Sequence, residues 1–167
     1  MSKYPLVFAV AAGVLLLDQL TKWYIRHSFG LYESVTVIDS LFHITHVRNA
    51  GGAFGFLNQA ARVWRLPFFL AVSCIAVGVL LAFVRRIQPG QRWLLLALGA
   101  ILGGALGNLV DRMASGEVTD FLDFHLHWGE YWYYWPAFNV ADSCITAGMV
   151  ILLLHSLFAR DDAGDRP

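Results

Sequence analysis

Trp93-Leu94-Leu95-Leu96-Ala97-Leu98-Gly99-Ala100-Ile101-Leu102-Gly103-Gly104-Ala105-Leu106-Gly107-Asn108-Leu109-Val110 contains no ionisable side chain, and Asp111-Arg112 follow at once. A helix needs about 20 mostly apolar residues to cross the hydrocarbon core of a bilayer. Every backbone N–H and C=O in lipid must find a partner within the chain, so a run of this length reads as a helix rather than a strand. Within it Gly99, Gly103 and Gly107 recur every four residues, with Ala100 and Gly104 beside them. Small residues at that spacing let helix backbones approach closely.

Working outward, three more stretches have the same character, which sets the expected spans at about 5–25, 66–84, 93–110 and 138–158. Trp23 and Tyr24, Trp64, Trp93 and Tyr133 to Trp135 mark several of their ends, as aromatic residues do at membrane–water interfaces. The first run follows Lys3 in the manner of a secretory signal. However, Asp18-Gln19-Leu20-Thr21-Lys22 succeeds its apolar core with no small-x-small cleavage site, so a retained helix is expected.

The composition agrees: 57% of residues are hydrophobic and 14% charged, against roughly 45–50% and about 25% in soluble domains. The net charge is zero, which gives no reason to expect nucleic acid as a partner. Cys74 and Cys144 each sit in an apolar run without a CxxC partner, so neither a disulfide framework nor a zinc site is expected.

Lys3, Arg85, Arg86, Arg92, Arg160 and Arg166 fall on one side of the membrane; Lys22, Arg26, Arg48, Arg62, Arg65 and Arg112 fall on the other. The count is six on each side and does not decide the orientation. The short 85–92 loop is dense in arginine, and short loops count most in the positive-inside rule, which leans toward both termini and the 159–167 tail inside. The opposite side then carries two long connections, 27–65 and 113–137. The first alternates as Val35-Thr36-Val37-Ile38 and Phe42-His43-Ile44-Thr45, a sign of short strands. The second is aromatic and half polar. The expected fold is an all-α membrane protein of four transmembrane helices, with a small β-rich cradle and an aromatic loop over the site. A cradle of this kind can hold an extended peptide along a strand edge.

Asp120 follows the third apolar run and Asp142 stands at the mouth of the fourth. Carboxylates at that depth are costly and mark functional sites, and two acids sharing one proton form a water-activating device at neutral pH. Asp120 and Asp123 are three apart and would share a face if this stretch were helical. Asn139 and Asp142 are also three apart, where the helix dipole favours an acid. Asp18 and Lys22 form an i,i+4 pair, worth a few tenths of a kcal/mol at a helix surface, or else serve to fix a loop above the membrane. Asn49-Ala50-Gly51-Gly52-Ala53-Phe54-Gly55 reads as a turn whose glycines permit positive φ; spacing alone makes it an ordinary loop, and a functional version would use the Asn49 amide to grip a peptide backbone. Arg112 can offer its fork to a carbonyl or a headgroup phosphate. Its neighbour Asp111 would not face it on a helix. His125 and His127 alternate around Leu126 but make a weak metal signal, and no metal is expected. The residues alone therefore describe a polytopic membrane protein with an interfacial diacid site. A proton-coupled transporter would place acids deep in several spans, and the centres of the second, third and fourth have none. A scaffold would account for the glycines but not for polar residues gathering at one face.

Five blocks in order resemble the lipoprotein signal peptidases (signal peptidase II) over nearly the whole chain. They are Asp18-Gln19-x-Thr21-Lys22, Asn49-x-Gly51-Gly52-Ala53-Phe54, Gly103-Gly104-x-x-Gly107-Asn108-x-x-Asp111-Arg112, Val118-x-Asp120-Phe121 and Phe138-Asn139-x-Ala141-Asp142. The resemblance implies a monomeric aspartic peptidase of the bacterial inner membrane, with cytoplasmic termini, a site near the periplasmic face and no cofactor. Its substrates would be diacylglyceryl-modified prolipoproteins presented among membrane lipids. It carries the catalytic acids onto Asp120 and Asp142, substrate contacts onto Asn49, Gly51, Asn108, Arg112 and Asn139, and supporting roles onto Asp18, Lys22 and Asp111. Leu122 to Pro136 is longer and more aromatic than the family pattern.

Overall fold

The computed structural model of the protein describes residues 2–52, 57 and 61–164. Ala53, Phe54 and Gly55 of the glycine turn, the last three residues of the tail and the side chain of His127 lie outside that description. Four long helices cross from one side to the other: α1 (Tyr4–Ser28), α2 (Arg62–Arg86), α3 (Arg92–Ser115) and α4 (Val140–Gly164). All four are long and apolar enough to span a membrane.

The helices overrun the expected spans because their polar ends stay helical in the interface. α2 starts four residues before Leu66. Pro67 sits inside it and cannot donate to the Val63 carbonyl one turn back. Val63 is exposed in the first turn of the helix, so the ring removes one hydrogen bond near the helix end rather than in its middle. α4 starts later than expected, at Val140. Phe138 is instead bonded to the sheet, donating to the Leu122 carbonyl and accepting from Leu122 and Phe121.

α3 is the central post: 61% of its apolar window is buried, against 11–17% for the other three. The glycines explain why. A Cβ on Gly99 or Gly103 would lie 2.9 or 2.6 Å from a carbonyl of α1, and one on Gly104 would lie 2.5 Å from the Ala141 carbonyl of α4. The backbones touch where no side chain intervenes, so close packing replaces the hydrophobic driving force that lipid cannot supply. Gly103→Leu is therefore expected to force α1 from α3 and to lower the melting temperature in detergent sharply. Gly13→Leu is the control, since a Cβ there meets nothing within 4 Å. Equal melting of the two variants would refute the glycine contact.

Four strands form an antiparallel meander at one end of the bundle: β1 (Ser34–Ile38), β2 (Phe42–Asn49), β3 (Val118–Trp128) and β4 (Tyr131–Tyr134). The alternation in 35–38 and 42–45 is thus realised as a strand pair. Much of the 113–137 segment, expected as an aromatic loop, is the β3–β4 hairpin. An αL glycine, Gly116 at φ 82°, ends α3 and turns the chain into β3, as helix C-caps commonly do.

Candidate active site

Asp120 rides on β3 and Asp142 on the first turn of α4. Asn139 joins them. Its Nδ2 donates to Asp120 Oδ1 at 2.7 Å, and its backbone N–H donates to Asp142 Oδ2 at 3.3 Å. Its own Oδ1 accepts the Asp142 N–H at 3.0 Å. Asn139 is therefore the N-cap of α4, and Asp142, three residues on, closes a reciprocal capping box. The helix-dipole reading of Asp142 and its role in the acid pair are one arrangement.

The remaining carboxyl oxygens are also held. Asn49 Nδ2 donates to Asp120 Oδ2 at 3.0 Å, and Asn108 Nδ2 donates to Asp142 Oδ1 at 2.8 Å. Each of the four oxygens accepts an N–H, which aims both acids rigidly. Asp120 is 2% exposed. Its burial and the neighbouring Asp142 push its carboxyl up to about 7, against the amides of Asn49 and Asn139 and the charge of Lys22, which pull it down.

Beneath the acids lies a buried ion cluster. Lys22 and Asp18, both wholly buried, pair at 2.9 Å, and Lys22 reaches Asp111 at 3.1 Å. Arg26 also meets Asp111, at 3.3 Å, so two acids face two bases. The cluster is wired to the site. Lys22 Nζ donates to Asn108 Oδ1 at 2.9 Å, which turns the Asn108 amide group toward Asp142. Asp18 Oδ1 accepts the Ala141 N–H at 3.0 Å, seating the start of α4 on α1. Asp111 Oδ2 accepts the Thr119 N–H at 3.1 Å, fixing β3 one residue before Asp120. The i,i+4 pair is thus no surface ion pair, and what it fixes is the start of a helix rather than a loop.

Asn49 Oδ1 accepts the Gly51 N–H at 3.0 Å, closing the turn with a side chain in the manner of an Asx-turn. Gly51 and Gly52 are not among the glycines of positive φ, which are Gly116 and Gly129 in the described residues, so at these two positions the backbone is not left-handed; Gly55 lies outside the described residues. The Asn49 amide is occupied by Asp120 rather than left free. Arg112 donates to the Gly51 carbonyl at 3.2 Å and lies over the Phe69 ring, 4.9 Å from its centroid. It makes no pair with Asp111, as their adjacency on a helix requires.

Asp123 is not in the site. The stretch is a strand, so residues three apart point to opposite faces. Asp123 instead accepts from Thr45 at 3.1 Å and pairs with His125 at 2.9 Å. Sequence reading missed Gln19, which bridges Asp18, Asp111 and the Gly107 carbonyl at 3.1–3.3 Å, and it missed Arg26. Spacing would have found Arg26, which stands one helical turn beyond Lys22 on the same face.

A cavity of about 880 Å³ opens between Asn49, Arg112, Asp120, Phe124, Trp135 and Asp142, and runs down α4 past Ser143, Thr146 and Ala147. It has an acidic, hydrogen-bonded head at the interface and a small-residue, mostly apolar reach toward lipid. Among the described residues no group of three or more histidines, cysteines or acids is placed to hold a metal ion.

The family model of signal peptidase (SPase) II matches residues 10–158. A lipoprotein signal peptidase of Geobacter sulfurreducens is 48% identical over 156 residues, covering 92% of each chain. One from Syntrophus aciditrophicus is 45% identical over 158 residues, 94% of this chain and 96% of its own length. One from Pseudomonas aeruginosa is 40% identical, over 91% and 87%. A bacterial membrane enzyme solved by the in meso method superposes with a TM-score of 0.80 at 30% identity, covering 96% of this chain and 91% of the other. The chain belongs to the signal peptidase II family of bacterial membrane peptidases.

Proposed function

We propose that the protein is an aspartic endopeptidase that frees prolipoproteins of their signal peptides, cutting on the N-terminal side of a diacylglyceryl-modified cysteine. Asp120 and Asp142 are its catalytic pair. The observation that carries this reading is the convergence of two carboxyls, each oxygen hydrogen-bonded, at the head of a cleft that opens toward lipid.

Two close acids cannot both ionise, so the pair holds one proton. The ionised member takes a proton from water as the water oxygen attacks the scissile carbonyl. The protonated member donates a hydrogen bond to the developing oxyanion, and a proton then passes to the departing amine. The chemistry needs only the two acids and water, with no metal or organic cofactor. Asn49, Asn108 and Asn139 keep the carboxyls aimed, and Arg112 with the Gly51 backbone frames the mouth where the peptide lies. The apolar reach along α4 suits an acyl chain or the membrane-embedded signal segment. The sheet side is periplasmic, both termini are cytoplasmic, and one copy in the inner membrane suffices. The buried acids Asp18, Asp111 and Asp120 gather with the half-buried Asp142 at one end of the bundle, which favours a single interfacial reaction over a relay across the membrane.

The test is a gel-shift cleavage assay of a diacylglyceryl-modified precursor beside its unmodified form, with mass spectrometry of the products. The lipidated precursor is expected to be cut immediately before the modified cysteine and the unmodified one left intact. Equal cutting of both would remove the lipid from the reading. A folded protein that cuts neither would overturn the function.

A further inference from the structure

The sheet is sorted by face. Cross-strand partners share a face, and the register sets Val35 beside Ile44 beside Leu122, Phe42 beside Phe124, and Leu126 beside Tyr133. Asp120 lies on this same face by the two-residue period of β3. The other face carries Thr36, His43 and Asp123 in one row, with Ser34 beside Thr45 and His125 beside Tyr134. The second face is polar and bonded within itself: Ser34 meets Thr45 at 2.8 Å, Thr45 donates to Asp123 at 3.1 Å, and His125 meets Asp123 at 2.9 Å.

An antiparallel sheet in water buries its apolar face and wets the polar one. Here the outer part of the apolar face is open: Val35 is 47% exposed, Leu126 49% and Tyr133 58%. None of the described residues covers it. Three observations identify what does. First, the face is continuous with a membrane-facing surface, since Phe124 stacks on Phe138 at 5.8 Å and lines the cleft that descends α4 past Ile145 and Ala147. Second, exposed Trp23 and Tyr24 near the end of α1 mark an aromatic belt on this same side, where such rings settle at headgroup level. Third, the only charged residues from 118 to 134 are Asp120, Asp123 and Glu130. Asp120 is inside the cleft and Asp123 is on the polar face.

We propose that the β3–β4 hairpin and β1 lie with their apolar face down in the headgroup–acyl boundary of the leaflet on the site side. The bilayer itself then covers the sheet. The docked hairpin makes a lipid-filled passage from the leaflet to Asp120, so a lipidated substrate slides in laterally without crossing water. That last consequence rests on the proposed function; the docking does not.

The experiment uses the full chain, with Cys74→Ala and Cys144→Ala, in nanodiscs of phosphatidylethanolamine and phosphatidylglycerol. Single spin labels are placed on the apolar face at Leu126→Cys or Tyr133→Cys, and on the polar face at Thr36→Cys or Tyr134→Cys. Dissolved oxygen concentrates in lipid, and a nickel chelate stays in water. The oxygen-to-nickel relaxation ratio is expected to be several-fold higher at positions 126 and 133 than at 36 and 134. Equal nickel access on both faces would overturn the proposal, as would shielding of 126 and 133 from both reagents, which would mean a protein cover. Two positions per face keep the comparison alive if one label prevents folding. No substrate is present, so failure here is separate from failure of the peptidase reading.

Discussion

Asp120→Asn and Asp142→Asn are each expected to cut turnover of a lipidated precursor by roughly 10³-fold or more, with the double variant no worse than either alone. General acid–base catalysis by one positioned group contributes about 10²–10⁴-fold, and groups that act as a unit lose their effect together rather than additively. The fold survives because the Asn side chain keeps the shape and one accepting oxygen of each acid, so both proteins should melt cooperatively in detergent. The same pair is expected to set the pH profile of the wild type. Asp120 is held up to about 7 by burial and by Asp142. Raising the pH through that value strips the shared proton and leaves no donor for the oxyanion, so the rate of cleavage should fall above about pH 7. Near-normal cleavage by a folded Asp120→Asn protein would remove these residues from the chemistry. A rate that climbs steadily from pH 7 to 9 would remove the shared proton from the mechanism.

Lys22→Met is expected to destabilise the protein by about 3–5 kcal/mol, the cost of leaving buried charge without its partner. Asp18 loses its counter-ion at 2.9 Å outright, while Asp111 keeps Arg26 at 3.3 Å. The variant should also lose activity beyond its loss of folded protein, because the Asn108 amide loses the donor that turns it toward Asp142. Adding Asp18→Asn to Lys22→Met removes the orphan charge, so melting should recover in part while activity does not. Melting curves of the wild type, the two single variants and the double variant decide it. An unshifted Lys22→Met transition would mean the cluster is not energetically closed.

Much of this architecture was legible before any coordinates. The four spans announce themselves because lipid admits no unpaired backbone, and the glycine spacing in α3 announces close packing. The strand pair at 35–45 showed in its alternation. The β3–β4 hairpin did not, because Tyr131 to Trp135 is aromatic on both faces and supplies no period. Asp123 beside Asp120 was ambiguous until the element was known, since spacing of three shares a face on a helix and divides faces on a strand. The acids and their asparagines were legible as motif blocks, but what each asparagine does was not. Asn108 meets Asp142 from 34 residues away and Asn49 meets Asp120 from 71. The packing of α3 on α4 at Gly104 brings Asn108 to Asp142, while the β2–β3 register, which sets Val47 opposite Asp120, brings Asn49 to Asp120.

The seating of α4 on Asp18 has a consequence for how the chain is made. α4 leaves the ribosome after α1, α2 and α3, and its N-cap and first turn supply Asn139 and Asp142. Until that span is inserted and its Ala141 N–H meets Asp18 on the first span, Asp120 has no second acid beside it. On the proposed function, a nascent chain with three spans in place therefore lacks its acid pair. Under that reading, bond-breaking capacity arrives in one step, as α4 inserts, and so only in a molecule whose α1 and α4 have already found each other.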